Sequence, residues 1–480
     1  MNRRMVLYTV GTVIKIEAVL MLLPTVCALI YKEACVTDFL ISIAACLVAG
    51  FGMTLLSRPG NKVIYAREGF VIVAISWLVL SAFGALPFFL AGEIPNYVDA
   101  FFETVSGFTT TGASILTDVE SMSKGLLFWR SFTHWVGGMG VLVFVMAIIP
   151  SLSDRSIHIL RAEVPGPIVG KIVPRIKKTT GILYIIYIAL TVIEIVFLLA
   201  GGMSFFDSLV HAFGTAGTGG FGIKSDSIAS YSPYLQWVIT IFMLLFGINF
   251  NLYYLLLIKK FKSVFKSGEL WIYLGIVAAS IGVITVNILS FYDSFGKALT
   301  DAAFQVSSII TTTGYATADF DTWPGLSKTV LLTLMFIGAC AGSTGGGFKV
   351  SRLIILVKTI KRELKKLLHP RSVDVIRFEG KRLDEGTTRS VSSYLAIYAL
   401  FFFAIVLLLG FESFDLETNI SAAAACFNNI GPGFKAVGPT MNYSLYSPFA
   451  KIILSLAMLF GRLEIYPLIL TLSPSTWVKK

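Results

Sequence analysis

Four short stretches of this chain combine glycine with small polar residues in a way that suits the handling of a bare cation. They are Phe108-Thr109-Thr110-Thr111-Gly112-Ala113-Ser114, Gly214-Thr215-Ala216-Gly217-Thr218-Gly219-Gly220-Phe221, Ile309-Ile310-Thr311-Thr312-Thr313-Gly314-Tyr315-Ala316 and Phe427-Asn428-Asn429-Ile430-Gly431-Pro432-Gly433-Phe434. Glycine lets a chain turn its carbonyls to one side without a side chain in the way. Carbonyl oxygens arranged so can replace the hydration shell of an ion. A single Thr-Gly pair is no more than a turn. Gly112, Gly219, Gly314 and Gly431, however, recur roughly every hundred residues, and recurrence at a steady period marks an internal repeat. The candidate ion-binding residues are therefore Thr110, Thr111, Gly112, Thr218, Gly219, Thr312, Thr313, Gly314, Asn429, Ile430 and Gly431.

Rival chemistries find less support. Gly217-Thr218-Gly219-Gly220-Phe221-Gly222 matches the string G-x-G-x-x-G, but a dinucleotide site needs a preceding strand and a βαβ unit, and neither pattern is present. Ser114 with His134 or His211 could be cast as nucleophile and base; no motif fixes them together, and Ser114 belongs to a repeat. Neither histidine has a second His, Cys or Asp at metal-ligand spacing, so both read as packing residues. The five cysteines are scattered through apolar runs and read as small buried side chains. The expectation is a protein that is not an enzyme and holds no cofactor in this chain.

The elements around the four stretches are long and apolar. Of 480 residues, 55% are hydrophobic and only 14% charged, with mean hydropathy +0.79, against about 25% charge in a soluble chain. An all-α polytopic membrane protein follows. At about twenty apolar residues per crossing, ten spans are expected, near residues 8–30, 38–56, 69–90, 126–149, 181–200, 234–258, 270–289, 326–357, 391–410 and 448–472. The run behind Met1-Asn2-Arg3-Arg4 is span-length, unlike a cleavable signal. Basic connections (Arg58, Lys62 and Arg67; Arg155 onward to Lys178; residues 259–266; residues 349–389) alternate with acidic ones carrying Asp99, Asp118, Glu120, Asp226, Asp293, Asp319, Asp321, Glu412 and Asp415. Positive residues favour the cytoplasmic side, so both termini are expected there, and the net charge of +11 reflects topology rather than nucleic acid.

From the third span on, each pair of spans brackets a segment too short to cross: 99–112, 207–219, 301–314 and 417–431. Asp99, Asp207, Asp301 and Glu417 open them, and an acid suits the first turn of a helix. The expected fold is thus four tandem units of span, half-length helix, filter segment and span around one pseudo-fourfold pore. Residues 1–66 form a two-span packing hairpin ahead of units at 67–150, 151–268, 269–389 and 390–480.

Two further features belong to the pore. Gly338, Gly342, Gly345, Gly346 and Gly347 fall within ten residues of the eighth span. Each interior glycine costs a helix about 1 kcal/mol relative to alanine. Close packing needs only the Gly338/Gly342 pair, so a flexible gate beneath the filter is the fuller reading. Lys349 follows this run directly. Arg462 sits inside the last span, where a charge costs about 3 kcal/mol unless it is paired or faces water. Glu464, two residues on, faces another side of a helix; Arg462 is read either as paired elsewhere or as an electrostatic barrier at the pore. Lys15, Glu17 and Arg130 are placed near span ends, where they can snorkel. Glu194 is the one deep acid left without a role.

These residues resemble the TrkH-type subunits of the Trk/Ktr/HKT superfamily of potassium transporters, from about Gly69 to the C-terminus. The two leading spans match the TrkH type better than the shorter KtrB. The resemblance implies a bacterial cytoplasmic (inner) membrane protein and a homodimer. It also implies K⁺ selectivity centred on Gly112, Gly219, Gly314 and Gly431, an intramembrane gate loop, and an arginine in a Gly-Arg-Leu-Glu motif. It further implies a cytosolic TrkA-type nucleotide-binding ring as partner. Ile430 and Pro432 depart from its threonine-rich pattern. Residues 349–389 carry twelve Lys and Arg, which suits anionic lipid and such a partner alike. A symporter coupling K⁺ to H⁺ or Na⁺ is the rival function; it would need a titratable residue on the path, and Glu194 is the nominee.

Overall fold

A computed structural model describes residues 1–60, 64–140, 176–372 and 374–478. Among these, regular structure is almost wholly helical; two strands, Arg377–Phe378 and Lys381–Arg382, pair in one antiparallel hairpin. Six helical stretches are long and apolar enough to cross a membrane: Arg3–Tyr31, Val36–Leu56, Arg67–Leu90, Gly181–Ala200, Gly268–Phe291 and Glu385–Leu409. Large apolar side chains such as Val48, Leu56, Val286, Leu400 and Leu407 stay exposed on them. A surface of that kind faces lipid rather than water.

Three other expected spans are interrupted. Residues 234–258, read as one helix, form Pro233–Phe246 and Phe250–Leu257, bent by 89°. The Asn249 side chain caps the second piece by accepting from Asn251 N at 3.0 Å, so the sequence carried the signal for the break. The eighth span is Gly325–Ile337 and Val350–Leu368, parted by the glycine run as expected. The last is Pro448–Arg462 and Tyr466–Leu472, parted where Glu464 and Ile465 take positive φ. The span expected at 126–149 begins as Lys124–Gly138. Its end, the basic residues from Arg155 to Arg175, Lys62, Lys479 and Lys480 lie outside the described residues.

Four short helices carry the segments of interest: Tyr97–Phe108, Phe205–Gly217, Phe295–Ile310 and Leu416–Phe427. At 12 to 16 residues they reach about 18–24 Å, short of a crossing of about 30 Å. Each starts on a side chain that accepts from its own first turn: Asn96, Ser204, Ser294 and Asp415. Asp99, Asp207 and Glu417 sit in first turns as expected, but Asp301 does not. The third helix begins six residues earlier, at Phe295. Asp301 lies mid-helix, paired with Lys297 Nζ at 3.1 Å and accepting from Thr317 Oγ1 at 2.9 Å.

The leading hairpin packs closely through glycine: a Cβ on Gly11 would meet Gly50 O at 3.0 Å. Two charges expected to snorkel are instead buried. Glu17 is 1% exposed beside Gly84 and accepts no hydrogen bond among the described residues. Arg130 is 4% exposed and pairs with Glu103 at 2.6 Å. Its guanidinium lies 3.5 Å from the centre of the Phe221 ring and donates to Gly222 O at 2.9 Å. Glu103 also accepts from Ser114 Oγ and Ile115 N, both at 2.9 Å. One buried pair therefore ties the first short helix to the loops that follow the first and second. Arg130→Gln strands the Glu103 charge and should destabilise the protein by about 3–5 kcal/mol. Thermal unfolding in detergent checks this, and Glu103→Gln added to Arg130→Gln should recover part of the loss.

Candidate ion-binding site

Each short helix ends in the same way. A residue in the left-handed region comes first, then one residue, then a left-handed glycine. The pairs are Thr110 and Gly112 (φ 55° and 80°), Thr218 and Gly220 (56° and 74°), Thr312 and Gly314 (60° and 87°), and Asn429 and Gly431 (58° and 98°). Hydrogen bonds repeat with them. Thr111 N donates to Ser106 O, Gly219 N to Gly214 O, Thr313 N to Ser308 O and Ile430 N to Ala425 O, all at 2.8–2.9 Å. This is the Schellman ending, whose left-handed position is ordinarily glycine. Here it is threonine three times and asparagine once, a local strain of the kind that collects at functional sites.

The common geometry shifts one register. In the second segment the left-handed glycine is Gly220, one residue later than the Gly219 singled out from sequence spacing. Gly219 instead stands with Thr111, Thr313 and Ile430. The run Gly217-Thr218-Gly219-Gly220 hides this, because three glycines within four positions offer little contrast.

The four loops meet. A side chain on Gly112 would collide with the carbonyl oxygen of Gly219, one on Gly220 with that of Thr313, and one on Gly314 with that of Ile430. One on Gly431 would press on Thr111 O at 2.7 Å. Each loop's glycine thus backs onto the next loop's carbonyl, and the fourth returns to the first. All four of these glycines, with Ser114, Ser227 and Tyr443, line a single cavity.

Side chains brace the ring. Thr109 and Thr111 hydroxyls lie 2.8 Å apart, as do those of Thr311 and Thr313. Asn429 Nδ2 donates to Thr111 Oγ1 at 3.0 Å and to Met458 O at 2.9 Å. Tyr443 OH donates to Gly431 O at 2.8 Å, a tether without counterpart on Gly112, Gly220 or Gly314 among the described residues. His134 bridges two repeats, with Nδ1 donating to Gly107 O at 2.8 Å and Nε2 accepting from Phe221 N at 3.3 Å. It is a packing residue, as is His211, whose Nδ1 donates to Asp207 O at 2.8 Å. Ser114 Oγ is bound to Glu103 rather than to either histidine.

The glycine run of residues 338–349 packs against the ring from the side opposite the cavity. The cavity is lined by residues that follow the ring in each segment. The run touches residues that precede it: a Cβ on Gly345 would meet Thr311 O at 2.8 Å, and one on Gly346 would meet Asn428 O at 2.5 Å. Gly338, Gly342, Gly347 and Lys349 all hold positive φ. Gly346 N donates to Thr312 Oγ1 at 2.6 Å, and Lys349 Nζ donates to Gly345 O. The bend of the preceding broken span holds the run from outside: Cys340 N donates to Gly247 O at 3.1 Å, and Phe250 N to Gly342 O at 3.0 Å. Glu269 accepts from Ala341 N at 2.7 Å, a clamp that sequence reasoning missed and that no local motif announced. Arg462 donates to Thr344 O at 2.8 Å, Gly137 O at 2.5 Å and Gly138 O at 2.8 Å. Glu464 pairs with Arg352 at 2.6 Å.

A helical protein made for the bilayer, with non-helical backbone from four loops closing on one another at depth, belongs with the multi-pass transport proteins of membranes. Comparison with known proteins makes this specific: residues 36–479 match the family TrkH, cation transport protein, and the chain belongs to that family. The Trk system potassium uptake protein TrkH of Salmonella typhimurium is 37% identical over 99% of this chain and 100% of its own. The TrkG protein of the Escherichia coli K12 Trk system is 34% identical over 99% and 98%. The crystal structure of the potassium transporter TrkH from Vibrio parahaemolyticus superposes with a TM-score of 0.89 at 34% identity, over 100% of both chains. These relatives are transporters, which separates the chain from enzymes.

Position 220 tests the register. Alanine there must hold φ near +74° against Thr313 O, whereas a Cβ on Gly222 meets nothing nearer than 3.5 Å. A left-handed side-chain residue costs about 1–2 kcal/mol before any collision. Gly220→Ala should cut transport at least about tenfold, as strain of that size implies, while Gly222→Ala stays within about twofold. Cation uptake by cells expressing each variant at matched levels checks it.

Proposed function

We propose that this chain takes up potassium ions across the cytoplasmic membrane through a gated, channel-like pore. Four repeats would stand around one axis, with both termini in the cytoplasm. The observation that carries the reading is the closed circuit in which each left-handed glycine backs onto the next repeat's carbonyl oxygen. Carbonyls so held exchange for water around a monovalent cation. Four helix C-termini, each carrying roughly half a negative charge, converge on the same place. Ile430 does not break the scheme, since the coordinating atom at every position is a backbone oxygen. The relatives named above are potassium uptake proteins and a potassium transporter.

The gate in this reading is the run containing Gly338, Gly342, Gly345, Gly346, Gly347 and Lys349, latched by Arg462 through Thr344 O. Arg462 adds a positive charge where the ion must leave. Helix Val350–Leu368 continues directly from the run into the basic cytoplasmic stretch. A cytosolic TrkA-type nucleotide-binding ring gripping that stretch would pull on the gate, and a homodimer of this chain is the expected assembly.

Purified protein in liposomes, with K⁺ inside and neither a proton nor a sodium gradient, should pass K⁺ down its own gradient. Flux that appears only when one of those gradients is imposed would establish the coupled symporter instead. In the same liposomes Arg462→Gln should raise basal K⁺ flux at least about threefold, since it removes a charge that costs about 3 kcal/mol at depth and one of the bonds that hold the loop.

A further inference from the structure

One residue before each carbonyl of the ring stands a residue with a side-chain oxygen: Thr110, Thr218, Thr312 and Asn429. All four are 0% exposed. Two of the oxygens, Thr110 Oγ1 and Asn429 Oδ1, have no hydrogen-bond partner, and buried polar atoms left so are few in a folded protein. The Thr218 hydroxyl donates to Gly217 O at 2.6 Å, which leaves its lone pairs free. The fourth, Thr312 Oγ1, accepts from the backbone N–H of Gly346 at 2.6 Å. Asn429 Oδ1 borders the same place, 3.2 Å from where a Cβ on Gly346 would stand. An N–H group is the positive end of a dipole, and here it fills the position that a cation would take among acceptor oxygens.

We propose that these four side-chain oxygens form an innermost cation site, beyond the carbonyl ring, and that the closed gate occupies it with Gly346 N–H. Ion and loop then compete for Thr312 Oγ1. The proposal rests on the pore reading above and adds regulation to it: a cation arriving through the carbonyl ring displaces the loop, so the transported ion itself weakens the closed gate. A run with left-handed glycines at 338, 342 and 347 is free to swing away when that bond is lost.

Backbone hydrogen exchange of the full-length protein in detergent reads the competition without any flux. In the wild type the peptide holding Gly346 should exchange at least about tenfold faster in KCl than in N-methylglucamine chloride of equal ionic strength, as expected when a buried hydrogen bond is replaced. Thr312→Val, which keeps the shape and removes the acceptor, should exchange fast in both salts and raise basal K⁺ flux in liposomes. Thr312→Ser should keep the wild-type salt response. Equal wild-type exchange in the two salts overturns the proposal, and so does a Thr312→Val protein that retains the salt response. Should Thr312→Val fail to fold, the wild type and Thr312→Ser still decide through exchange. A wild type that carries no K⁺ in liposomes would sink the pore reading alone, because the exchange result stands apart from it.

Discussion

Backbone that leaves the helix inside a membrane finds no water, so every freed N–H and C=O must be held by protein or used on an ion. The rest of this structure follows from meeting that demand four times over. The short helices stop halfway because a Schellman ending closes each one. Its two backbone bonds absorb the first carbonyls that the helix would orphan. Among what remains, each loop has a carbonyl that a neighbouring loop's glycine backs onto, and no other residue could replace that glycine without collision. Caps on Asn96, Ser204, Ser294 and Asp415 fix where each helix starts. The buried Glu103–Arg130 pair and His134 fix how adjacent repeats sit.

The same demand explains the glycine run below the ring. Twelve non-helical residues between Ile337 and Val350 would be costly unless satisfied, and they are satisfied by unlike groups. A threonine hydroxyl holds Gly346, a glutamate holds Ala341, a broken span holds Cys340 and Gly342, and one arginine gathers carbonyls from Thr344, Gly137 and Gly138. Such a set is strong enough to keep a loop in place. It is also easy to take apart one bond at a time, since no regular ladder makes it cooperative.

Much of this was legible in the residues. The apolar runs, the hundred-residue recurrence and the five crowded glycines led to the spans, the short segments and the interrupted eighth helix. Less was legible wherever the sequence signal was degenerate or nonlocal. The Gly217–Gly220 stretch concealed a register of one residue, because the choice between Gly219 and Gly220 is made by what they back onto, His134 and Thr313 respectively. Asp301 looked like a helix opener, although Ser294 is the cap. Arg130 and Glu17 looked like interfacial charges, since Arg130 is buried against Glu103, 27 residues away, and Glu17 beside the more distant Gly84. The bend at residues 247–249 had its asparagine cap in view but sat inside an apolar run that masked it.

Because the four quarters are written into one polypeptide, they are not copies. Among the described residues a tyrosine, Tyr443, holds the carbonyl of Gly431 but none holds that of Gly112, Gly220 or Gly314, and Ile430 replaces the threonine or glycine of the other quarters. In a homotetramer any codon change strikes all four walls at once, so intermediate designs are out of reach. Here a single exchange alters one wall and leaves three intact. Inheritance can therefore adjust the ring of loops in quarter steps, which gives this architecture a finer dial for evolutionary tuning than rotational symmetry permits.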